Sequence, residues 1–354
     1  MNKDEMTPYE RMMGVLNGEP VDRVPVAPIV REWCARQAGF TFSGLMNSAS
    51  MHAFSQYYCA KTYGLDLLWD FYGIHAEAEA MGSVLKVPDD MPCSVERPAI
   101  QDYDEDLPKI KLLNPYKDGH LPIVLEGIRQ LKELAGERYA VLGYLQGPFR
   151  LASMLRGFEP FLKDCIKTDS HLEEFLEFCT DALIVYGTAV IQAGSDFIFI
   201  GDPTSSGDAI SRKMWMEYGF PYTRRLVKAL KANRVKVLMH ICGDTSDRLD
   251  TFVETGIDAM SVDEKVDLAY AREVMGDDVC LWGNVSPTKT LFMGTPEAVD
   301  AEARACIEKG RGKKGNFVLC SGCNVPAEVP PENMKALVNA AHKYGGGDVH
   351  ETSS

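Results

Sequence analysis

The chain of 354 residues predicts a (β/α)8 TIM barrel. Three observations carry that reading: eight short apolar runs recur, helical patterns lie between most of them, and the residues ending the runs are polar. Counting strands does not show closure, so a doubly wound open sheet is the structural alternative. Thr7-Pro8-Tyr9-Glu10 is a capping box with proline at the first helical position. It opens the helix of an N-terminal helical segment, 1–20, and Gly18 is placed to close that helix. The apolar runs are Val24 to Val30, Leu65 to Phe71, Tyr139 to Leu145 and Asp196 to Ile200, then Val235 to His240, Ile257 to Val262, Val279 to Gly283 and Asn316 to Cys320. Leu172-Phe175-Leu176-Cys179-Leu183 and Trp215-Tyr218-Tyr222-Leu226 have the spacing of buried helix faces. A Pro- and Asp-rich region after the second run, 83–122, is expected to form an insertion or lid beside the barrel mouth. Residues 345–354 are expected to be a flexible tail, and 1–354 to be a single barrel domain without internal repeats.

A formal charge of −14 argues against nucleic acid as a partner, since that needs a basic footprint. No apolar run approaches a membrane span, and Met1-Asn-Lys-Asp-Glu lacks the apolar stretch of a signal peptide. Ten cysteines without an export signal imply a reducing, cytoplasmic setting, where they serve as thiols, ligands or packing.

The chemistry is concentrated in His240-Ile-Cys242 and in Cys323 of the run Leu319-Cys320-Ser321-Gly322-Cys323. Side chains two apart on a strand leave the same face, so His240 and Cys242 converge on one point. One imidazole and two thiolates leave one position of a zinc tetrahedron open, which is a catalytic arrangement rather than a structural one. The bland alternative is buried cysteine acting as a small hydrophobe. Barrel geometry favours the metal, because chemistry in such folds sits at the carboxyl ends of the strands. Those ends read Asp70, Gln146, Asp202, His240 with Cys242, Asp263, Asn284, and Ser321 with Cys323. Asp202 is a candidate fourth zinc ligand or acceptor binder, with a plain turn before Pro203 as the competing role. Asp70 and Asn284 read as pocket polar groups, though Asn284 could simply cap its strand. Cys320 is an alternative to Cys323 as ligand, less favoured because it lies within the strand.

Several segments taken together resemble the uroporphyrinogen decarboxylase superfamily and, within it, the cobamide-dependent methyltransferase branch. They are Met6-Thr-Pro-Tyr-Glu-Arg to Asp22-Arg-Val-Pro25, Ala76-Glu-Ala-Glu-Ala-Met-Gly82, His240-Ile-Cys-Gly243, Gly283-Asn-Val285, Gly294-Thr-Pro296, and Ser321-Gly-Cys-Asn-Val-Pro326 with Pro331-Glu-Asn333. The resemblance implies a barrel enzyme that moves methyl groups between a corrinoid protein and coenzyme M or tetrahydrofolate. It also implies that His240, Cys242 and Cys323 hold catalytic zinc, as the His-x-Cys and distant Cys do in the coenzyme M branch. The decarboxylases proper carry an Arg-Gln-Ala-Gly-Arg-Tyr segment, of which Arg36-Gln-Ala-Gly-Phe40 keeps only part, so decarboxylation is disfavoured. Trp69 and Trp282, near strand ends, are expected to reshape the pocket relative to such enzymes.

The expected chemistry is activation of a thiol. A free thiol, with pKa about 8.5, is largely protonated near neutral pH, and zinc would hold it as the nucleophilic thiolate. That sulfur would displace a methyl group from cobalt in line. The corrinoid (methylcobalamin) is expected to arrive on a partner protein, because no Asp-x-His-x-x-Gly segment is present. The leading function is therefore methyl transfer from a methylated corrinoid protein to a zinc-activated thiol such as coenzyme M. The alternatives are tetrahydrofolate as acceptor, demethylation of a small donor onto the corrinoid, and a non-catalytic corrinoid-binding barrel. Folate would call on Trp69, Tyr72, Tyr144, Gln146 and Asn284, whereas the sulfonate of coenzyme M would need a cation such as Arg150 or Arg212.

Overall fold

Strands buried at every position must be covered on both faces, and the central strands of this chain are of that kind. The computed structural model describes residues 4–70, 75–89 and 93–346. In chain order the strands are β1 (Leu67–Asp70), β2 (Val84–Lys86), β3 (Ser94–Arg97), β4 (Ala140–Gln146), β5 (Phe197–Gly201), β6 (Lys236–Ile241), β7 (Ala259–Val262), β8 (Cys280–Val285) and β9 (Phe317–Ser321). Every residue of β1, β4, β5, β7, β8 and β9 is buried.

Seven of these strands form one parallel sheet in the order β1-β4-β5-β6-β7-β8-β9. Helices such as Leu121–Ala135, Leu172–Ala193, Phe220–Lys231 and Pro296–Gly310 cross between its strands, giving a curled, TIM-barrel-like α/β fold. Seven of the eight predicted runs became strands of this sheet, each within two residues of the expected start. The first run did not. Val24 to Val30 contributes one parallel bridge, Val26 to Leu319, because Pro25 and Pro28 have no N–H to continue a ladder. It nevertheless lies between the two ends of the sheet. The Leu319 N–H donates to the Pro25 carbonyl at 2.9 Å, Ala27 N–H to Leu319 at 3.0 Å, and Asp66 N–H to Val26 at 2.9 Å.

The aromatic side chains expected at the pocket edge fill the interior instead. Trp69 meets Trp282 at 6.2 Å between ring centroids and Phe199 at 5.4 Å, and both indoles are buried. Trp69 and Trp282 are therefore core, not pocket lining. β2 and β3 pair antiparallel as a separate hairpin within the 83–122 region, which also holds a short helix, Tyr103–Asp106. Most of the expected tail, residues 347–354, lies outside the described residues, as do Phe71 and Tyr72. Among the described residues no helix is long and apolar enough to cross a membrane.

The N-terminal helix, Pro8–Asn17, has the capping box read from the sequence: Thr7 accepts from the Glu10 N–H at 3.2 Å, and Glu10 accepts from the Thr7 N–H at 2.7 Å. Its buried Arg11 reaches Asp66 at 2.6 Å, and Arg23 reaches the same carboxylate at 2.7 Å. Asp66 also accepts the Val26 N–H at 2.7 Å. One buried carboxylate thus ties helix, bridging segment and β1 together. Removing it takes one partner from each of two buried guanidiniums, leaving Arg11 with Asp22 and Arg23 with Asp4, so Asp66→Ala should cost about 3 kcal/mol in urea unfolding, and Asp4→Ala, at the exposed edge of the same network, much less.

Candidate metal centre and its pocket

Register brings the site together. Gln146 pairs with Gly201, Gly201 with His240, and His240 with Ser261, so these four positions form one row across β4 to β7. The His240 Nδ1 faces the Ser261 hydroxyl at 3.0 Å and its carbonyl at 3.2 Å. Those contacts turn Nε2 toward Cys242, whose Sγ lies 3.2 Å away. The Phe199 ring stacks on the imidazole from below at 5.7 Å. Cys242 stands just beyond β6 on the same face as His240, as the two-residue spacing requires.

Cys323 comes from the loop after β9, and its Sγ lies 3.1 Å from that of Cys242. The ligand atoms of His240, Cys242 and Cys323 all fall within 4.8 Å of one another. Two glycines make the approach possible. Gly243 turns the chain at φ +92°, where a side chain is strained, and its N–H donates to Asp263 at 2.8 Å. At Gly322 a Cβ would stand 2.5 Å from the backbone nitrogen of Glu264, so only glycine lets this loop pack against the end of β7. The next residue, Asn324, is anchored by its amide to Glu32 at 2.7 Å, and Glu32 pairs with Arg31.

The two thiols hold each other in different states. The hydrogen bond from Cys242, aided by His240 and the Asn324 N–H, pulls Cys323 well below the usual thiol range. The same bond, together with burial, pushes Cys242 up. One imidazole and a thiol–thiolate pair suit a borderline-soft cation such as zinc, and three protein donors leave a fourth position for a substrate sulfur. Cys320 does not join them. It is fully buried within β9, where burial pushes its thiol up to about 12.

The remaining expected residues divide. Tyr144 packs on Phe199 at 5.6 Å, and its hydroxyl fills the space left by Gly201, where a Cβ would stand 2.8 Å away. Gln146 is fully buried and its N–H donates to Glu77 at 3.0 Å. Asp202 follows β5 and its N–H donates to the His240 carbonyl at 3.0 Å. Its carboxylate accepts from the Thr204 hydroxyl at 2.7 Å, and among the described residues no carboxylate belongs to the metal cluster, so Asp202 is placed beside the triad rather than in it. Burial raises its carboxyl to about 6 against the opposing Thr204, Ser205 and Arg150. Asp70, fully buried 3.5 Å from His52 Nε2, is pushed well above the usual range by burial and by Glu77. Asn284 turns its amide into the wall, donating to the carbonyls of Asp263 at 2.9 Å and Val266 at 2.8 Å. Its side chain is spent on holding the loop after β7.

Other residues enter without a specific role assigned from the sequence. Ser261 and Asp263 set the geometry of His240 and Gly243. Glu77, in the segment Ala76–Gly82, is buried, and burial raises it to about 7. His75 lies 3.2 Å from Cys93 at the start of β3, and is pushed down to about 3 by burial, then by Arg150 and Arg31. A serine inside the apolar run Ala259–Val262 was a visible signal for Ser261. Nothing in the local pattern separates Glu77 from Glu79, which instead takes His120 at 2.6 Å.

Fold and centre together define a barrel-like α/β protein with a sulfur-rich triad at its strand ends that could hold a metal ion. The uroporphyrinogen decarboxylase (URO-D) family model matches residues 7–344, and the chain belongs to that family. It is 30% identical over 344 residues to the methylcobamide:CoM methyltransferase MtbA of Methanosarcina mazei, covering 96% of this chain and 99% of that one. It is 31% identical over 347 residues to MtaA of Methanosarcina barkeri, of the same description, with the same coverage. A solved methyltransferase from Methanosarcina mazei superposes with a TM-score of 0.86 at 28% identity, covering 96% of this chain and 99% of that chain.

Two outcomes follow from the site. Ser261→Ala frees the imidazole to rotate and should weaken metal binding by about 10–100-fold in chelator competition, with the circular dichroism spectrum unchanged. Glu77 has a folded pKa above its unfolded value, so its share of stability is full below about pH 4.5 and is lost as pH rises through about 7. Glu77→Gln should remove that loss, on the order of 3 kcal/mol relative to the parent between pH 5 and 8, measured by denaturant titration at each pH.

Proposed function

We propose that the chain is a corrinoid-dependent methyltransferase that moves a methyl group from a methylated corrinoid protein to a zinc-held thiol such as coenzyme M. The observation that carries the reading is the convergence of His240, Cys242 and Cys323 within 4.8 Å at the carboxyl ends of β6 and β9. Relatives matched over nearly their whole length bear the name of that activity, which supports it.

In this reading the three side chains hold zinc, which would keep an acceptor sulfur deprotonated near neutral pH. The chain's own residues do the rest. The contacts of Ser261 and Phe199 fix His240, the turns at Gly243 and Gly322 fix the two sulfurs, and the fixed position of the nucleophile lowers the entropic part of the barrier. Tyr144, Gln146, Asp70 and Asp202 are proposed to line the acceptor pocket, with Asn284 holding its wall. No dedicated general base is required, because the metal replaces the proton on sulfur. The methylated corrinoid is proposed to come on a separate protein that docks at the mouth.

The segment Val24 to Val30 is proposed as the eighth stave that completes the (β/α)8 barrel, since it bonds to both β9 and the start of β1. Glu32 near one end of the chain holds Asn324 near the other, beside Cys323, which supports a single functional domain. All ten cysteines are free thiols, in keeping with a reducing cytoplasm. Tetrahydrofolate is the weaker acceptor reading, because a nitrogen nucleophile gains nothing from a thiolate-rich site.

The test is metal content of anaerobically purified protein together with demethylation of methylcobalamin by coenzyme M or tetrahydrofolate. Stoichiometric zinc and thiol-dependent turnover are expected. Cys242→Ala should lose both, whereas Cys320→Ala should keep the metal. Full thiol turnover by metal-free Cys242→Ala would sink the mechanism, and folate-dependent turnover without metal would move the enzyme to the other acceptor.

A further inference from the structure

The loop that carries Cys323 is moored on both sides of the cysteine, mostly to a segment near the other end of the chain. Before it, the Leu319 N–H donates to the Pro25 carbonyl at 2.9 Å, and the Ile29 N–H donates to the Ser321 hydroxyl at 3.0 Å. Gly322 N–H donates to the Val285 carbonyl at 2.9 Å. After it, Val325 N–H donates to the Ile29 carbonyl at 2.9 Å, and the Trp33 indole N–H to the Val329 carbonyl at 2.9 Å. The Asn324 amide donates to Glu32 at 2.7 Å. That last bond differs in kind. It alone among these joins two side chains, and its acceptor is a carboxylate, which makes it the strong one.

Glu32 opens the helix Glu32–Gln37 and is only 4% exposed. A buried carboxylate bonded to the neighbour of Cys323 costs more than an apolar contact there would. The Arg31 guanidinium offsets that cost by pairing with Oε1, while Oε2 takes the Asn324 amide. Both oxygens are engaged, and Glu32 is not among the clustered ligand atoms. What it fixes is Asn324. A carboxylate only accepts, so the NH2 end of the amide must face it. The backbone N–H of the same residue is one of the groups acting on the Cys323 sulfur. Cys242 has a separate mooring, in which Gly243 N–H donates to Asp263 at 2.8 Å and Asp244 N–H to Asp208 at 3.2 Å. The two sulfurs therefore rest on independent supports, and the 3.1 Å between them is set by both. A second ion pair joins the Glu32 helix to the Cys323 loop, Arg36 to Glu328 at 3.1 Å, but its members are 61% and 54% exposed. Solvent screens that pair.

We infer that Glu32, with its charge balanced by Arg31, is a positioning residue for the metal centre, acting through Asn324 to set where the Cys323 sulfur stands. The inference rests on the zinc reading above and adds a residue outside the ligand set that governs whether the second sulfur binds. Glu32 touches neither substrate nor metal in this role. Its effect is on the affinity of the centre and on the number of sulfurs in it.

The experiment measures zinc affinity by chelator competition and records the spectrum of the cobalt(II)-substituted protein, in which sulfur-to-cobalt charge transfer reports bound thiolates. Wild type should take up zinc and show both sulfurs. Asn324→Ala removes the bond while leaving the Arg31–Glu32 pair in place. It should weaken zinc by about tenfold to a hundredfold and reduce the charge-transfer band toward that of a single thiolate. Glu32→Ala should do the same, and should it fail to fold, Asn324→Ala carries the decision. Glu32→Gln, which can still accept from Asn324, should keep most of the affinity. Glu328→Ala, which removes the exposed pair, should change neither reading. Circular dichroism and the melting temperature of the metal-free variants separate a lost fold from a displaced sulfur. Affinity and band unchanged in a folded Asn324→Ala overturn the inference and leave the metal reading standing. Equal weakening in Glu328→Ala also overturns it, because any anchor of the loop would then serve. A wild type that takes up no zinc overturns the metal reading itself, and the inference with it.

Discussion

Curvature of the parallel sheet is the constraint on which the centre depends. Cys242 follows β6 and Cys323 follows β9, with β7 and β8 between them. Neighbouring strands lie about 4.7–4.9 Å apart, so three such steps in a flat sheet would separate the two ends by about 14 Å. Their sulfurs are 3.1 Å apart. The curl is held where the bridging segment bonds to Leu319 on one side and to Asp66 on the other, and Asp66 is in turn held by Arg11 and Arg23. A buried salt bridge at the floor of the molecule thus has its effect at the rim, through the shape of the sheet rather than through any direct contact.

Charge in the pocket obeys a different balance from charge on the surface. The chain carries an excess of acidic residues, yet burial drives Asp70, Glu77 and Asp202 toward neutrality. A metal cation held by the sulfur pair would offset the charge the two cysteines otherwise crowd together. Exchange of the pocket's thiolates for other polar groups would let the same barrel serve quite different chemistry, in keeping with a family that includes both methyl transfer and decarboxylation in its names.

Much of this was legible in the chain itself, for reasons tied to particular residues. His240 and Cys242 could be paired because strand geometry puts alternate side chains on one face, and Cys323 could be preferred to Cys320 because one lies beyond its strand and the other within it. The runs Tyr139 to Leu145 and Asp196 to Ile200 were readable because fully buried strands leave no alternation to obscure them. What resisted reading was direction. Trp69 and Trp282 sit near strand ends by number but turn into the interior, and Asn284 turns its amide into the wall. Glu77, His75 and Arg31 lie on short helices and connections, where spacing says little about which side chain is enclosed. The prolines at 25 and 28 were visible, but their effect on the length of the first stave emerges only from the hydrogen bonds it fails to make.

The separation of the ligands along the chain also bears on how the centre comes into being during synthesis. Cys242 and Cys323 are 81 residues apart, and translation proceeds at roughly 5–20 residues per second. A nascent chain therefore presents the imidazole and one sulfur for some seconds before the second sulfur exists, and longer before β9 has found its place. Two donors alone make a poor chelate. Metal capture by all three would consequently be a late event, tied to completion of the sheet, and an unfinished or misfolded chain would have little means of keeping an ion.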